Sequence, residues 1–417
     1  MKIHRGGKMK IMVLPGTVWQ VPLMKRIKSM GHELYVTNPV KIAEVYEVAD
    51  YFFQSDIFAY DAIVSYCINE KIDVVMSDEC DIATDAIARY NRAIGANCIT
   101  EEMAALFTNK YLMREFCQKK DINPIPHTLC QNSEEACAFF KQYGPKLIMK
   151  PLDSNASHGV FTICCEEDIK VNFEETLYFS RNEKAVLLEK YIEGTEFTAD
   201  GIMSKKGHIT LAVSEKKHYK HNDNIANSLL FTQRNERYDY DLLRRTNDEL
   251  INATGLPFGL THVEYKYMDG KYYLIEMAAR GGGNLISAII APFMSGIDNY
   301  EFLIRRTLDK NYVLNKNVDI NNDRIAILKF LDLPCRGGIV KAIHGEDFLS
   351  KEERIKSYKL NFRVGDYIHQ PENDSVRIGY YIICAESKNE FDKITRAINE
   401  HLIIEVEEKS DGKDEYH

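Results

Sequence analysis

The sequence lacks an apolar run long enough to cross a membrane. A spanning helix needs roughly 18–20 apolar residues, and no run in the chain approaches that length. The basic start, MKIHRGGKMK, precedes only the stretch IMVLP, which is too short for the apolar core of a signal peptide. We therefore expect a cytoplasmic protein with no membrane partner.

CxxC pairs and an excess of positive charge are also missing. The ten cysteines stand at irregular spacings, which indicates reduced thiols in a cytosolic protein rather than a zinc site. The formal net charge is −9, whereas a dedicated nucleic-acid-binding protein would show a basic domain. We therefore expect no nucleic-acid partner.

Two common nucleotide-binding signatures do not occur. The first strand-to-helix turn, VLPGT at 13–17, lacks the GxGxxG pattern, which disfavours a dinucleotide-dependent oxidoreductase. The phosphate loop GxxxxGK[ST] is absent as well. A nucleotide site in this chain must therefore be built from other segments.

What the chain does have is the length and composition of a multidomain enzyme. Its 417 residues exceed one core, and 45% hydrophobic with 28% charged residues is ordinary for a soluble protein. Strand–helix alternation in the first hundred residues predicts a doubly wound parallel sheet, so the predicted fold class is α/β with α+β parts. The predicted divisions are an N-terminal α/β domain at 1–102, a central domain at 103–315 with lobes at about 103–188 and 189–315, a C-terminal α+β domain at 316–406 and a disordered acidic tail at 407–417.

The segment THVEYKYMDGKYYLIEMAARGGGN predicts a β-hairpin that presents Glu264 and Glu276. Two carboxylates on neighbouring strands suit Mg²⁺ (or Mn²⁺), which takes its remaining ligands from phosphate and water. Strand side chains alternate faces, so a plain turn at Asp269-Gly270 would point the two glutamates to opposite sides. A three-residue loop starting at Met268 would put both on one face as diagonal neighbours. The metal hypothesis therefore predicts that loop or an equivalent bulge; exposed glutamates on an amphipathic hairpin are the alternative.

Arg280 and three glycines follow the hairpin directly. A planar guanidinium suits phosphate or carboxylate, and consecutive glycines after a strand mark close backbone approach. His262 shares the face of Glu264, where we expect a supporting or core histidine rather than a metal ligand.

A second candidate segment runs from Lys150 to Gly159, KPLDSNASHG. Lys150 ends a predicted strand and can reach a nucleotide phosphate, while the loop amides and the hydroxyls of Ser154 and Ser157 can close over phosphates. A solvated strand end is the alternative. Lys110 lies in the first turn of a helix capped by Thr108, where its charge opposes the helix dipole and indicates an anion nearby.

The stretch LLEKYIEGTEFTADG predicts a linker between two lobes. Backbone groups at 190–192 can read an adenine edge, and Glu196 can accept hydrogen bonds from ribose hydroxyls. Acids flanking a surface turn are the alternative. The basic cluster that follows is expected to be a solvated loop, with a substrate-closing loop as the alternative; its members are Lys216, Lys217, His218, Lys220 and His221.

In their order and spacing these segments resemble the ATP-grasp superfamily. The likeness is to carboxylate–amine/ammonia ligases built like biotin carboxylase and the purine-branch ligases, and it covers roughly residues 9–310. The C-terminal block, with LPCRGGIV and FRVGDYIHQPENDSVRIGYYI, resembles the closing domain of L-amino-acid ligases. The segments that carry the resemblance are TNKYLMREFCQKKDINPIP, KLIMKPLDSNASHGV, LLEKYIEGTEFTADG, THVEYKY and LIEMAARGGG.

The resemblance implies ATP and Mg²⁺ (or Mn²⁺) as cofactors and assigns a role to each candidate residue. Lys150 and Arg280 are the implied catalytic residues, Arg280 steadying the reactive phosphate or carboxylate. Ala278, and the Asn155-Ala156 pair in the phosphate loop, depart from the common pattern. The implied ligands are Lys110 and Lys150 for phosphate, Glu189, Lys190, Tyr191 and Ile192 for adenine, Glu196 for ribose, and Glu264 and Glu276 for the metal.

The implied activity is the ATP-dependent joining of a carboxylate to an amine through an acyl phosphate, with amino-acid ligation as one form. Its substrates would be small molecules, and a homodimer is common among the proteins it resembles. Two alternatives stay open: a carboxylase that uses bicarbonate and carboxyphosphate, and an ATP-binding module without turnover, which Ala278 and the glycine-poor loop favour.

Overall fold

The computed structural model describes residues 7–154, 158–181, 183–320, 322–333, 335–373 and 376–408. The predicted phosphate-loop residue Ser157 lies outside these ranges, as does the tail beyond residue 408. Among the described residues, none of the helices is both long and apolar enough to span a bilayer.

The N-terminal region is a parallel sheet with helices packed on it, as predicted. The sheet order is β3-β2-β1-β4, and buried apolar side chains of β1 and β2 form its core. The strand β3 was missed by the sequence analysis because it lies at the sheet edge and is partly exposed. The elements are β1 (Lys10–Val13), α1 (Val21–Ser29, after a 3₁₀ turn at Val18–Gln20), β2 (Glu33–Asn38), α2 (Ala43–Tyr46), β3 (Tyr51–Gln54), α3 (Tyr60–Glu70), β4 (Val74–Met76) and α4 (Ala83–Ala93).

The next region forms an antiparallel sheet in the order β5-β8-β6-β7, covered by two helices. Two of its strands bury the side chains of Lys150 and Glu189. The elements are α5 (Glu101–Leu106), α6 (Lys110–Lys120), β5 (His127–Cys130), α7 (Ser133–Tyr143), β6 (Leu147–Pro151), β7 (Phe161–Ile163), α8 (Glu166–Phe179) and β8 (Val186–Lys190).

A larger antiparallel sheet, in the order β13-β12-β9-β10-β11-β14-β18-β16, continues past residue 316 into the C-terminal region. The predicted domain boundaries stay predictions. The elements are β9 (Thr195–Ser204), β10 (Gly207–Tyr219), β11 (Asn222–Thr232), α9 (Tyr240–Thr254), β12 (Gly259–Met268), β13 (Lys271–Ala278), a π-helical turn (Ile286–Ile290), α10 (Ala291–Ser295), α11 (Asn299–Leu308), β14 (Ile325–Phe330), β15 (Gly337–His344), α12 (Glu346–Lys351), β16 (Ile355–Leu360), β17 (Tyr367–His369), β18 (Gly379–Ala385), α13 (Lys388–His401) and β19 (Ile403–Glu407).

Candidate active site

The predicted hairpin is formed by β12 and β13. Its turn is the plain two-residue turn Asp269-Gly270, with φ of 50° and 80° as in a type I′ turn, so the predicted three-residue loop is wrong. A β-bulge follows the pair Glu264↔Glu276 and leaves Ile275 as the extra residue. Because this bulge shifts the register by one, Glu264 and Glu276 lie directly opposite each other and face the same side, not as diagonal neighbours.

A lysine contacts each of these glutamates. Lys216 Nζ lies 2.5 Å from Glu196 Oε1 and 3.1 Å from both carboxylate oxygens of Glu264. Lys110 Nζ lies 2.8 Å from Glu276 Oε1, and the Glu276 side chain keeps 37% of its surface exposed. These contacts, here called the open ion pairs, balance the charge of the face while leaving it accessible.

Lys216, Lys217 and His218 lie in β10, between β9 and β11, so this part of the basic cluster is not a solvated loop. Lys220 and His221 form the exposed turn that follows β10, as predicted. His218 Nε2 lies 3.4 Å from Glu196 Oε2, next to Lys216. Burial disfavours the ionised form of Glu196, but Lys216 and His218 hold its pKa below the usual range. Lys216 is therefore a site residue that the sequence analysis did not identify.

Lys110 joins the start of α6 to the phosphate loop. Its Nζ donates to the carbonyl of Ser154 at 2.7 Å, and its backbone N–H donates to the carbonyl of Leu152 at 2.8 Å. The cap of α6 is Asn109, whose side chain accepts from a backbone N–H of the first turn, and not Thr108 as predicted. The first-turn position of Lys110 is as predicted.

Lys150, Glu189 and Arg114 form a second ionic group, the buried triad. Glu189 Oε1 lies 2.5 Å from Lys150 Nζ, and Glu189 Oε2 lies 2.6 Å from Arg114 Nε. Each of these side chains is at most 5% exposed. Arg114 also donates from Nη2 to the carbonyl of Ile275 at 2.6 Å, so the triad is bonded to the bulge residue of the hairpin.

The triad shifts the pKa values of its members. Burial alone would raise the pKa of Glu189, but Arg114 and Lys150 lower it to about 2. Burial lowers the pKa of Lys150 to about 8, although Glu189 opposes this shift. The Glu189 carboxylate is enclosed between two cations, and a role of Glu189 in adenine binding stays a prediction.

The predicted adenine segment follows the triad on the chain. The N–H of Lys190 donates to the carbonyl of Pro126 at 2.9 Å, and the N–H of Tyr191 donates to the carbonyl of Lys146 at 3.2 Å. These two amides are therefore engaged within the protein. Adenine recognition at this segment, including Ile192, stays a prediction that must use other backbone groups.

The phosphate loop is described at both ends, and Ser157 lies outside the described residues. Ser154 is buried and offers its carbonyl to Lys110. Gly159 has φ of 70°, and a Cβ there would lie 2.8 Å from Phe179 and 3.1 Å from Pro151. A side chain at position 159 would therefore displace the loop end.

Arg280 forms a bidentate ion pair with Asp81, in the loop that follows β4. Nε to Oδ1 is 2.7 Å and Nη2 to Oδ2 is 2.8 Å. Although burial opposes it, Asp81 raises the pKa of Arg280 above its usual range. A Cβ at Gly281 or Gly282 would clash with neighbouring side chains, among them Asp200, as predicted for the glycine run. Gly283 does not follow the prediction, because a Cβ there would meet nothing within 4 Å.

His262 lies beside Glu264 on the hairpin face. Its Nδ1 lies 2.9 Å from Asp200 Oδ1, and its Nε2 lies 3.6 Å from Glu264 Oε1. Burial alone would lower the pKa of His262, but Asp200 and Glu264 raise it to about 9. Lys216 and His262 in turn keep the pKa of Glu264 below its usual range against the effect of burial. Glu264 is therefore ionised and oriented.

The donor set fits a hard divalent cation that shares its coordination with phosphate. Glu264 and Glu276 supply facing carboxylates, and Mg²⁺ takes one or two protein carboxylates beside phosphate oxygens and water. Among the described residues no cluster of three or more His, Cys, Asp or Glu side chains is arranged to hold a metal ion alone. A metal at this face would therefore depend on a bound nucleotide.

Comparison with protein families finds two matches. Residues 144–288 match the ATP-grasp domain, and residues 332–407 match the L-amino acid ligase C-terminal domain 2. Dapdiamide A synthase of Enterobacter agglomerans is 24% identical over 273 residues, which are 64% of each chain. The chain thus spans just under two thirds of the length of this curated relative.

Solved structures show the same fold at low identity. The L-amino acid ligase of Bacillus licheniformis superposes with a TM-score of 0.80 at 16% identity, covering 97% of this chain and 100% of that one. The biotin carboxylase domain of a 2-oxoglutarate carboxylase from Hydrogenobacter thermophilus, solved with MgADP and bicarbonate, gives 0.73 at 16% identity, covering 97% and 92%. Residues 144–288 of the chain thus match an ATP-grasp domain, and residues 332–407, which follow it, match an L-amino acid ligase C-terminal domain.

Proposed function

We propose that the protein is an ATP- and Mg²⁺-dependent ligase that joins a carboxylate to an amine through an acyl phosphate. One observation carries the proposal: the bulge in β13 places Glu264 opposite Glu276 on an accessible face, within reach of Lys110. The ATP-grasp match and the named ligase relative support the same reaction class. Glu196 lies on this face as the proposed ribose ligand.

The proposed chemistry has two steps. An oxygen of the substrate carboxylate attacks the γ-phosphorus of ATP, and ADP leaves with the electrons of the broken P–O bond. The amine then attacks the acyl carbon, phosphate leaves, and the amine gives up a proton. Lys150 and Lys110 contribute by positioning and by neutralising charge on the phosphates.

Glu264 and Glu276 would hold Mg²⁺ when the nucleotide is bound. The metal would supply charge neutralisation on the phosphate oxygens. Lys110 and Lys216 occupy these carboxylates in the described structure, so ligand binding exchanges one set of ionic partners for another. Arg280, fixed by Asp81, would face the acyl phosphate with its remaining N–H groups.

An ADP-release screen tests the proposal. The protein is incubated with ATP, Mg²⁺ and a matrix of amino acids, small carboxylates, amines and bicarbonate, and products are identified by mass. We expect ADP only when an acid and an amine are both present, with a product equal to their sum less one water. ADP release with bicarbonate alone would indicate a carboxylase, and nucleotide binding without ADP release would indicate a module without turnover.

The remaining assignments are part of the same proposal. The substrates are a small carboxylate and a small amine, and the assembly is a homodimer, which sedimentation of the purified protein tests. All ten cysteines are free, which fits a reducing cytoplasm.

A further inference from the structure

Asp200, His262 and Glu264 form a row of charged groups on the sheet face that carries the hairpin carboxylates. Asp200 on β9 pairs with His262 on β12, and Glu264 is two residues further along β12, on the same face. His262 Nδ1 lies 2.9 Å from Asp200 Oδ1, and His262 Nε2 lies 3.6 Å from Glu264 Oε1. Both ring nitrogens therefore face a carboxylate, which suits an imidazolium because only that form carries a proton on each nitrogen.

Asp200 has one hydrogen-bond partner among the described residues, and that partner is His262. Asp200 is 2% exposed, and its second oxygen, Oδ2, is shielded from solvent and accepts no hydrogen bond within the described ranges. Burying a carboxylate removes its hydration, which is costly unless a cation or other donors replace the lost water. Because His262 is the group that compensates Asp200, the two side chains act as one unit.

The backbone after β13 packs directly on this pair. A Cβ at Gly282 would overlap Asp200 Oδ1 and would lie 3.0 Å from His262 Nδ1. Only a residue without a side chain therefore lets the chain pass this close. The glycine backbone covers the contact between the two side chains and limits the movement of the ring.

The two cationic partners of Glu264 differ in how firmly they are held. Lys216 Nζ lies 3.1 Å from both Glu264 oxygens, but it also contacts Glu196 and stands at the end of a flexible four-carbon stem. The His262 ring is held at Nδ1 by Asp200. When phosphate attracts Lys216 away, His262 would therefore remain and continue to orient the Glu264 carboxylate.

A second histidine–aspartate pair lies against the same sheet and ends differently. His208 Nδ1 lies 2.7 Å from Asp248 Oδ1, and His208 Nε2 lies 2.7 Å from the hydroxyl oxygen of Thr261. This row of groups ends on a neutral, buried hydroxyl, whereas the row through His262 ends on Glu264. The His208 pair thus offers a comparison in which the same residue types have no contact with a proposed metal ligand.

We infer that Asp200 and His262 are positioning residues that hold the Glu264 carboxylate in the orientation that Mg²⁺ requires when the nucleotide displaces Lys216. The inference rests on the proposed ligase function and deepens it, because it names groups that act on the metal through one of its ligands. Side chains that orient a metal ligand typically change metal affinity about tenfold to a hundredfold when they are substituted. Neither residue takes part in a bond-forming step.

Calorimetric titration with a non-hydrolysable ATP analogue tests the inference, with Mg²⁺ in one series and EDTA in the other. Asp200→Asn keeps the shape and removes the charge. We expect its Kd for the analogue with Mg²⁺ to rise about tenfold to a hundredfold, and its Kd in EDTA to change less than about twofold. Asp248→Asn, in the His208 pair, is the matched control, and both of its Kd values should stay within about twofold of the wild type.

A double variant shows whether Asp200 acts through His262. His262→Gln removes the cation, and we expect the same rise in the Kd measured with Mg²⁺. Adding Asp200→Asn to His262→Gln should raise that Kd by less than about twofold further, because residues that act as one unit do not contribute independently. Effects that multiply would overturn the inference.

The outcomes separate the inference from the proposed function. A wild type that binds the analogue equally well with Mg²⁺ and in EDTA would contradict the metal assignment itself. A wild type that gains affinity from Mg²⁺, together with an unchanged gain in Asp200→Asn, would overturn the inference and leave the ligase function standing. Equal losses with Mg²⁺ and in EDTA would assign the pair to packing alone and overturn it as well. Thermal melting monitors folding, and if Asp200→Asn is unfolded, His262→Gln carries the same comparison.

Discussion

The two ionic groups of the site, the buried triad and the open ion pairs, use the same residue types under different conditions. In the triad, Glu189 is 3% exposed and lies between Arg114 and Lys150. In the open ion pairs, the exposed fraction is 26% for the Glu264 side chain and 37% for Glu276. A buried carboxylate that loses its cations is left uncompensated, whereas a partly exposed one can replace a cation with water or another ion.

This difference in burial indicates different roles: the triad supports the hairpin, and the open ion pairs exchange their ionic partners. The triad holds the hairpin because Arg114 donates to the carbonyl of the bulge residue, Ile275. The open ion pairs depend on the position of the hairpin that the triad fixes. Their lysines can leave the glutamates when phosphate and metal bind. Pairs of a cation with a glutamate thus fix geometry in one place, through Arg114, and keep a site charge-balanced in the other.

The largest expected effect lies in the open ion pairs. Glu276→Gln removes a proposed metal ligand, and we expect kcat for ADP release to fall about a thousandfold or more, because several kcal/mol of charge stabilisation is lost. The free energy of unfolding should change by less than about 1 kcal/mol, because Glu276 is partly exposed. Steady-state kinetics at several Mg²⁺ concentrations and urea titration measure the two quantities.

Glu193→Gln is the control for that variant. Glu193 is exposed and lies 3.5 Å from Lys146 in a surface pair, so neither kcat nor stability should change measurably. Near-normal kcat in Glu276→Gln would contradict the assignment of Glu276 as a metal ligand. The open ion pairs would then have no role in exchanging ions during the reaction.

The second expected effect lies in the buried triad. Glu189→Gln leaves Arg114 and Lys150 buried without their common anion, and we expect the free energy of unfolding to fall by about 3–5 kcal/mol. Asp347→Asn, in an exposed pair with Lys351, should cost about 0.5 kcal/mol or less. Equal stability losses in the two variants would show that the triad is not a support.

The sequence predicted that the hairpin needs a one-residue register shift, but not where that shift lies. Strand alternation showed that Glu264 and Glu276 share a face only after a one-residue shift, and the structure confirms that shift. The place of the shift was not predictable, because the bulge at Ile275 is held by Arg114, 161 positions away on the chain. The turn depends on its own residues, Asp269 and Gly270, whereas the bulge is contacted by the guanidinium of Arg114, which is distant on the chain.

Other misses have the same cause. Lys216 belongs to a run of basic residues that resembles a solvated loop, and only the pairing of β10 with β9 brings it to Glu196. Asp81 and Arg280 are separated by 199 positions, so neither sequence segment indicates the other. Periodicity predicts which elements form; the partners of their polar side chains depend on how distant elements meet.

The smallest expected effect concerns the pH dependence of nucleotide binding. Burial lowers the pKa of Lys150 to about 8 despite the neighbouring Glu189, so its ammonium is lost as the pH rises through that value. The protonated form is the one that attracts phosphate, and we therefore expect the Kd for ATP to rise about threefold to tenfold between pH 7.5 and pH 9.5. Lys150→Gln, which is neutral throughout, should bind more weakly at pH 7.5 and show a flat profile. Calorimetric titration across this range measures both proteins. If the Kd of the wild type for ATP does not change with pH, Lys150 is a purely structural cation of the triad, like Arg114. Lys110, in the open ion pairs, would then be the lysine that binds phosphate.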